Sequence, residues 1–229
     1  MRDKQSQFDL LLFDLDGTLI DSVPQLFLAV EAALACCDLP TVTLAQVQMW
    51  IGNGADMLLK RAIQQRHLLV GEVDAELFQR VRSAFDTHYH ASLSRNFSVF
   101  PGVSETLQRL RQAGYRMAVV TNKPAPFVEP LMQAANLLPL FDMLLGGDIL
   151  PVRKPDPAPL LHICEALQIA PARTLMIGDS KNDVLAAQAA AIPVVGLTYG
   201  YNHGESIASS APDWVMDEFS QLEELLLVN

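Results

Sequence analysis

The stretch LLLFDLDGTLIDS, residues 10–22, decides how this chain folds. Leu10, Leu11, Leu12 and Phe13 run without a polar break, and Phe8 extends the run. A short continuous apolar run is what a strand buried on both faces of a parallel sheet requires. The run stops on Asp14 and Asp16, followed by Gly17 and Thr18. In an open parallel sheet, ligands bind outside the carboxyl ends of the strands. Two carboxylates so close repel each other unless a cation stands between them or one keeps a proton. A hard divalent ion such as Mg²⁺ takes oxygen ligands and suits such a place. One aspartate could then attack phosphorus while the other works as acid and base. Gly17 lets backbone approach a ligand, and Thr18 adds a hydroxyl and an amide. A bare DxDG is also an ordinary turn, so the other strand ends have to decide.

Apolar runs recur at 117–120, 143–145, 174–177 and 193–197, with helical patterns between them at 104–113, 127–135, 158–167 and 182–191. Alternating strands and helices predict a parallel α/β sheet, Rossmann-like, with right-handed crossovers. Residues 23–96 break the rhythm: helical patterns at 26–35, 55–65 and 75–89, and no strand pattern. The expected organisation is an α/β core from residues 1–21 and 97–229, with a small α-helical cap domain, 22–96, inserted after the first strand. The turn FPG at 100–102 marks the return to the core.

Three further strand ends carry polar groups. Thr121-Asn122-Lys123 offers a hydroxyl and an amide that can bind phosphate oxygens, or forms an ordinary loop. Lys154 precedes Pro155 in GGDILPVRKPDP, which holds it in an extended loop; a fixed ammonium there can neutralise a phosphate and a nucleophilic carboxylate together. Asp179 and Asp183, in GDSKND, flank a helix start, where carboxylates also serve as caps.

The bulk properties narrow the partners. The net charge is −10 and half of the 229 residues are hydrophobic, with no basic cluster. Nucleic acid is therefore not an expected partner, and no apolar stretch is long enough to span a bilayer. Neither property argues against a small anion held by a few placed groups. The three cysteines, Cys36, Cys37 and Cys164, form no CxxC and read as reduced thiols of a cytoplasmic protein. The chain is expected to be a monomer or homodimer. The histidines do not suggest zinc: His88 and His90 are two apart on a predicted helix, and His67, His162 and His203 are isolated in sequence.

Taken in order, DxDGT, TN, KP and GDSxxD, each at a strand end, resemble the haloacid dehalogenase superfamily of phosphohydrolases over the whole chain. That resemblance implies a nucleophilic Asp14 that forms an aspartyl-phosphate. It implies that Asp16 protonates the leaving oxygen and then activates water. Thr121 and Asn122 would hold the phosphoryl group, and Lys154 would orient Asp14. Mg²⁺ would bind the carboxylates of Asp14 and Asp179 and the backbone carbonyl of Asp16, with Asp183 behind them. Phosphoryl transfer is served by this combination of in-line positioning and charge neutralisation. An acid/base aspartate at Asp16 argues against carbon–halogen cleavage. A phosphonatase would need a cap lysine, and Lys60 is the one lysine of the cap segment.

Substrate choice should lie in the cap. WIGNGAD at 50–56 places Gly52 and Asn53 before a helix, either as a simple helix cap or as a loop whose amides meet the substrate. Together with VTNKPAPFVEPL at 120–131, IGDSKNDVLAAQAA at 177–190 and GLTYGYNHGE at 196–205, it is similar to the bacterial phosphoglycolate phosphatase family. That resemblance implies hydrolysis of 2-phosphoglycolate to glycolate and phosphate. The segment between Gln65 and Asp74 is shorter than that family's pattern. The loop 198–205 is either a plain Gly-rich turn or a flank of the site. Arg61 is expected either as a cation of the cap or on a solvated helix face. A mutase of the β-phosphoglucomutase type, another small-ester phosphatase and a catalytically idle binding domain remain alternatives; the last is disfavoured because every motif residue is present.

Overall fold

The computed structural model describes residues 7–227. Strand β1 (Leu10–Phe13) is fully buried. Leu11 and Phe13 enter one apolar cluster and Leu10 and Leu12 another, which explains why the run has no polar alternation. Replacing one such leucine by alanine costs about 2–5 kcal/mol.

The chain then makes a short strand β2 (Ile20–Asp21), helices α1 (Val23–Ala35), α2 (Leu44–Trp50), α3 (Ala55–Gln64) and α4 (Ala75–Ser92), and strand β3 (Ser98–Val99). β2 and β3 pair antiparallel, so a two-strand ribbon carries the chain out of the sheet and back. The rest alternates: α5 (Val103–Gln112), β4 (Arg116–Val120), α6 (Ala125–Ala134), β5 (Met143–Leu145), α7 (Ala158–Leu167), β6 (Thr174–Gly178), α8 (Lys181–Ala189), β7 (Val194–Leu197), β8 (Trp214–Met216) and α9 (Leu222–Leu226).

The main sheet has six strands in the order β5-β4-β1-β6-β7-β8, all parallel. β1 lies between β4 and β6, with Phe13 level with Val119 and Ile177. The order reverses at β1: the chain moves outward through β4 and β5, then returns to β6. This is the switch point at which open α/β sheets bind ligands. Residues just past the three central strands, Asp14, Thr121 and Asp179, therefore meet although they are far apart in sequence.

The four helices between the ribbon strands are amphipathic. Val47, Leu58, Val81, Phe85 and Tyr89 turn inward and join the apolar cluster on one face of the sheet. Thr43 caps α2 through a reciprocal capping box with Gln46. The sequence patterns missed α2 and the edge strand β8. β8 has three residues and its central Val215 is half exposed, too little for periodicity to register.

Candidate active site

Asp14 follows β1 with its carboxylate 12% exposed. Its Oδ1 accepts from the Leu15 N–H at 2.7 Å and lies 3.1 Å from Lys154 Nζ. Among the described residues no donor meets Oδ2, and Asp14 lines a cavity between the strand ends and the helical insert. Lys154 is buried, and its ammonium also donates to Asp183 Oδ1 at 2.7 Å and to the Val120 carbonyl at 2.6 Å. All three of its donors are used, so the cation is fixed. Asp183 earns its place twice: Oδ1 takes Lys154, while Oδ2 accepts from the Ser180 N–H and hydroxyl as the cap of α8.

Asp179 follows β6. Its Oδ1 accepts from the Thr18 hydroxyl at 2.6 Å, and Oδ2 from the Tyr201 N–H at 2.6 Å. Oxygens of Asp14, Asp179 and Asp183 lie within 4.8 Å of one another. Gly17, at φ +92°, passes so close to Asp179 that a Cβ there would collide with the carboxylate. Gly17 and Thr18, expected against a substrate, thus shape and orient Asp179.

The electrostatics follow from burial and crowding. Asp14 is raised from 3.8 to about 7, chiefly by burial; Lys154 and the Leu15 N–H oppose the shift, while Asp183 and Asp16 add to it. Asp179 is pushed well above the usual carboxylate value by burial, then by Asp183 and Asp14. Burial pulls Lys154 down, but Asp14 and Asp183 outweigh it and hold the ammonium above the ordinary lysine value. Carboxylates that share a site shift in this way.

Asp16 lies apart. Its carboxylate accepts from Lys123 Nζ at 2.9 and 3.0 Å and from the Ser22 hydroxyl at 2.6 Å. Lys123 is buried, and Asp16 and Tyr89 raise its pKa against the pull of burial. Sequence patterns gave Lys123 no role. Its position at a strand end was the available signal; its partner stands 107 residues away.

The loop after α2 borders the cavity at Gly52 and Gly54. Gly52 meets the core through its carbonyl, which accepts from Asn122 Nδ2 at 2.9 Å and Asn182 Nδ2 at 3.1 Å. Asn122 Nδ2 also donates to the Lys154 carbonyl. Two carbonyl partners fix the amide orientation, so Asn122 holds this loop with its nitrogen and leaves Oδ1 buried without a partner. Asn53 turns its side chain to Arg61 at 3.0 Å, away from the cavity. Thr121 lines the cavity beside Asp14, and its Oγ1 accepts from the Lys123 N–H at 3.2 Å.

Two further expectations are corrected. Arg61 does not sit on a solvated face: it is buried, donating to the Trp50 and His67 carbonyls as well as to Asn53. His67 and His203 are not isolated, since their rings lie 5.5 Å apart and His203 Nδ1 contacts the Met49 carbonyl at 2.9 Å. Hence the loop 198–205 reaches both Asp179, through Tyr201, and the helical insert, through His203. Lys60 places its ammonium over the Phe78 ring.

The sequence profile of the haloacid dehalogenase-like hydrolases matches residues 8–191. The chain is 46% identical over 217 residues to the phosphoglycolate phosphatase of Aliivibrio fischeri, covering 95% of this chain and 96% of that one. It is 48% identical over 216 residues to that of Photobacterium profundum, covering 94% of each. Among solved structures it resembles a predicted phosphoglycolate phosphatase from Haemophilus somnus, with a TM-score of 0.91 and 40% identity over 97% of this chain and 99% of that one.

Proposed function

The chain belongs to the haloacid dehalogenase-like hydrolases, and from that premise we propose that it hydrolyses 2-phosphoglycolate with Mg²⁺, through an aspartyl-phosphate on Asp14. It is a phosphatase; the ester, the metal and the residue roles are the proposal. One observation carries the mechanism. Asp14 has one oxygen tied to Leu15 and Lys154, while the other meets no donor among the described residues and borders the cavity. A carboxylate held by one oxygen has a fixed second oxygen to use as nucleophile.

Asp14 Oδ2 attacks phosphorus, the ester P–O bond breaks, and glycolate leaves with a proton from Asp16. Asp16 then takes a proton from water as that water attacks phosphorus, which releases phosphate and regenerates Asp14. Lys154 and Thr121 stabilise the charge that spreads over the phosphoryl oxygens. Lys123 and Ser22 hold the Asp16 carboxylate in place between the two steps. The helical insert, residues 22–96, acts as the cap that excludes water from the cavity.

The donor set suits magnesium. Oxygens of Asp14, Asp179 and Asp183 lie within 4.8 Å of one another, with one ammonium shared by Asp14 and Asp183, and burial first, then the neighbouring carboxylates, raise both Asp14 and Asp179. Oxygen-only ligands on a rigid strand end fit Mg²⁺, with the Asp14 and Asp179 carboxylates and the Asp16 carbonyl as its ligands. When bound, the ion supplies Lewis acidity toward the phosphoryl oxygens.

The relatives' names support the ester, and free cysteines support a cytoplasmic setting. Among the described residues, no helix is long and apolar enough to cross a membrane. The test is phosphate release from a panel of 2-phosphoglycolate, β-glucose 1-phosphate, other sugar phosphates, nucleotides and pyrophosphate, with and without Mg²⁺. A lead of about 100-fold in kcat/KM for 2-phosphoglycolate, about 2.7 kcal/mol, is expected. A lead by another ester overturns the substrate, and activity in EDTA overturns the metal.

A further inference from the structure

Tyr89, on α4, is the least accounted-for polar group near the site. It is 1% exposed; its hydroxyl lies beside the Lys123 ammonium, and among the described residues it has no acceptor for its own proton. A buried hydroxyl proton left without an acceptor is uncommon and calls for a physical reason. Its ring is locked, stacked on Phe85 at 5.2 Å and edge-on to Phe127 at 4.9 Å. The rigid ring borders the same cavity as Asp14 and Thr121. Lys123 Nζ lies 4.9 Å from the ring centroid while bonding Asp16. Asp16, Lys123 and Tyr89 therefore follow one another from the strand ends toward the insert.

On the side of the helical insert that cavity is apolar, walled by Leu26, Leu58 and Phe85 with Phe127 beside them, while Asp14, Asp16, Thr121, Asn122 and Lys123 line the strand-end side. Its volume is about 40 Å³, room for about three water-sized groups at roughly 10–15 Å³ each. An ammonium and a hydroxyl against the apolar wall of the insert suit a small group with acceptor oxygens.

We propose that Tyr89 is the specificity-determining residue for the leaving group: its hydroxyl donates to the carboxylate of a short phosphate ester, with Lys123 supplying the charge. The proposal rests on the substrate reading above and adds the residues that recognise it. A carboxylate is preferred over a neutral group because Tyr89 and Lys123 both offer donors to it.

The test compares kcat/KM for 2-phosphoglycolate with that for ethyl phosphate, which has the same carbon chain and no carboxylate. Both are measured on wild type and Tyr89→Phe, which keeps the ring and its packing. The ratio of the two substrates cancels any general loss of activity. The expected result is a wild-type ratio well above ten that falls at least tenfold in Tyr89→Phe. A high wild-type ratio that Tyr89→Phe leaves within twofold overturns the proposal and spares the substrate reading. A wild-type ratio near one overturns both. Inhibition by glycolate, read against inorganic phosphate in the same two proteins, gives a second measurement. Glycolate should weaken at least fivefold in Tyr89→Phe while phosphate does not; equal changes for both inhibitors overturn the proposal.

Discussion

Asp14 and Asp16 stand two residues apart on one loop, yet their surroundings have opposite charge balance. Asp14 shares Lys154 with Asp183, and Asp179 completes a cluster of three carboxylates around one ammonium. Asp16 has Lys123 to itself, with the Ser22 hydroxyl as a further donor. The first region is short of positive charge, and Asp14 rises to about 7 through burial and its acidic neighbours. The second is balanced. The first is left with an excess of negative charge; the second is paired as folded.

The largest effect that separates the two regions should come from Asp14→Asn. Loss of the nucleophile should lower kcat for phosphate release by at least about 10⁴-fold, because no other group supplies the covalent step. Asp16→Asn should cost about 10²–10⁴-fold, the usual range for a general acid and base. If Asp16→Asn were the more damaging substitution, the division of roles would be reversed.

Stability should separate the lysines as well. Lys154→Met leaves Asp14 and Asp183 buried around no cation, and breaking a buried ion pair in this way costs about 3–5 kcal/mol. Lys123→Met leaves a single Asp16 that keeps its Ser22 hydrogen bond, so its cost in urea denaturation should be smaller. Equal losses would mean that the two ion pairs are equivalent.

A smaller effect concerns pH in metal-free protein. Asp14 has its folded pKa raised from 3.8 to about 7, and Asp179 moves the same way. The folded state therefore holds protons that the unfolded chain has shed, and the stability they contribute is lost as pH rises from about 4 through about 7. In EDTA the melting temperature should be higher at pH 5 than at pH 8, and Asp14→Asn should flatten that difference. A wild-type melting temperature that rises over the same interval would contradict the charge imbalance.

What could be read from the sequence follows the same division. Asp14, Thr121, Lys154 and Asp179 each close a strand or enter the loop after it, so one strand pattern is enough to gather them. Lys123 stood in plain sight, but its meaning depends on Asp16, 107 residues away on the loop after β1, and on Tyr89 from α4 of the insert. Gly52 and Asn53 were legible as a loop before a helix. Their partners were not, because Asn122 and Asn182 come from two different strand ends and Arg61 from inside α3. His67 and His203 likewise meet only because the insert folds back over the loop after β7. β8 escaped for a simpler reason: three residues at a sheet edge carry no period.

The most direct measurement is calorimetric titration of Mg²⁺ into wild type, Asp14→Asn and Asp16→Asn without substrate. The charge imbalance predicts that Asp14→Asn weakens binding at least tenfold, while Asp16→Asn, which keeps its backbone carbonyl and loses only a carboxylate already paired with Lys123, stays within about threefold of wild type. Weakening by Asp16→Asn with Asp14→Asn unaffected would contradict the account.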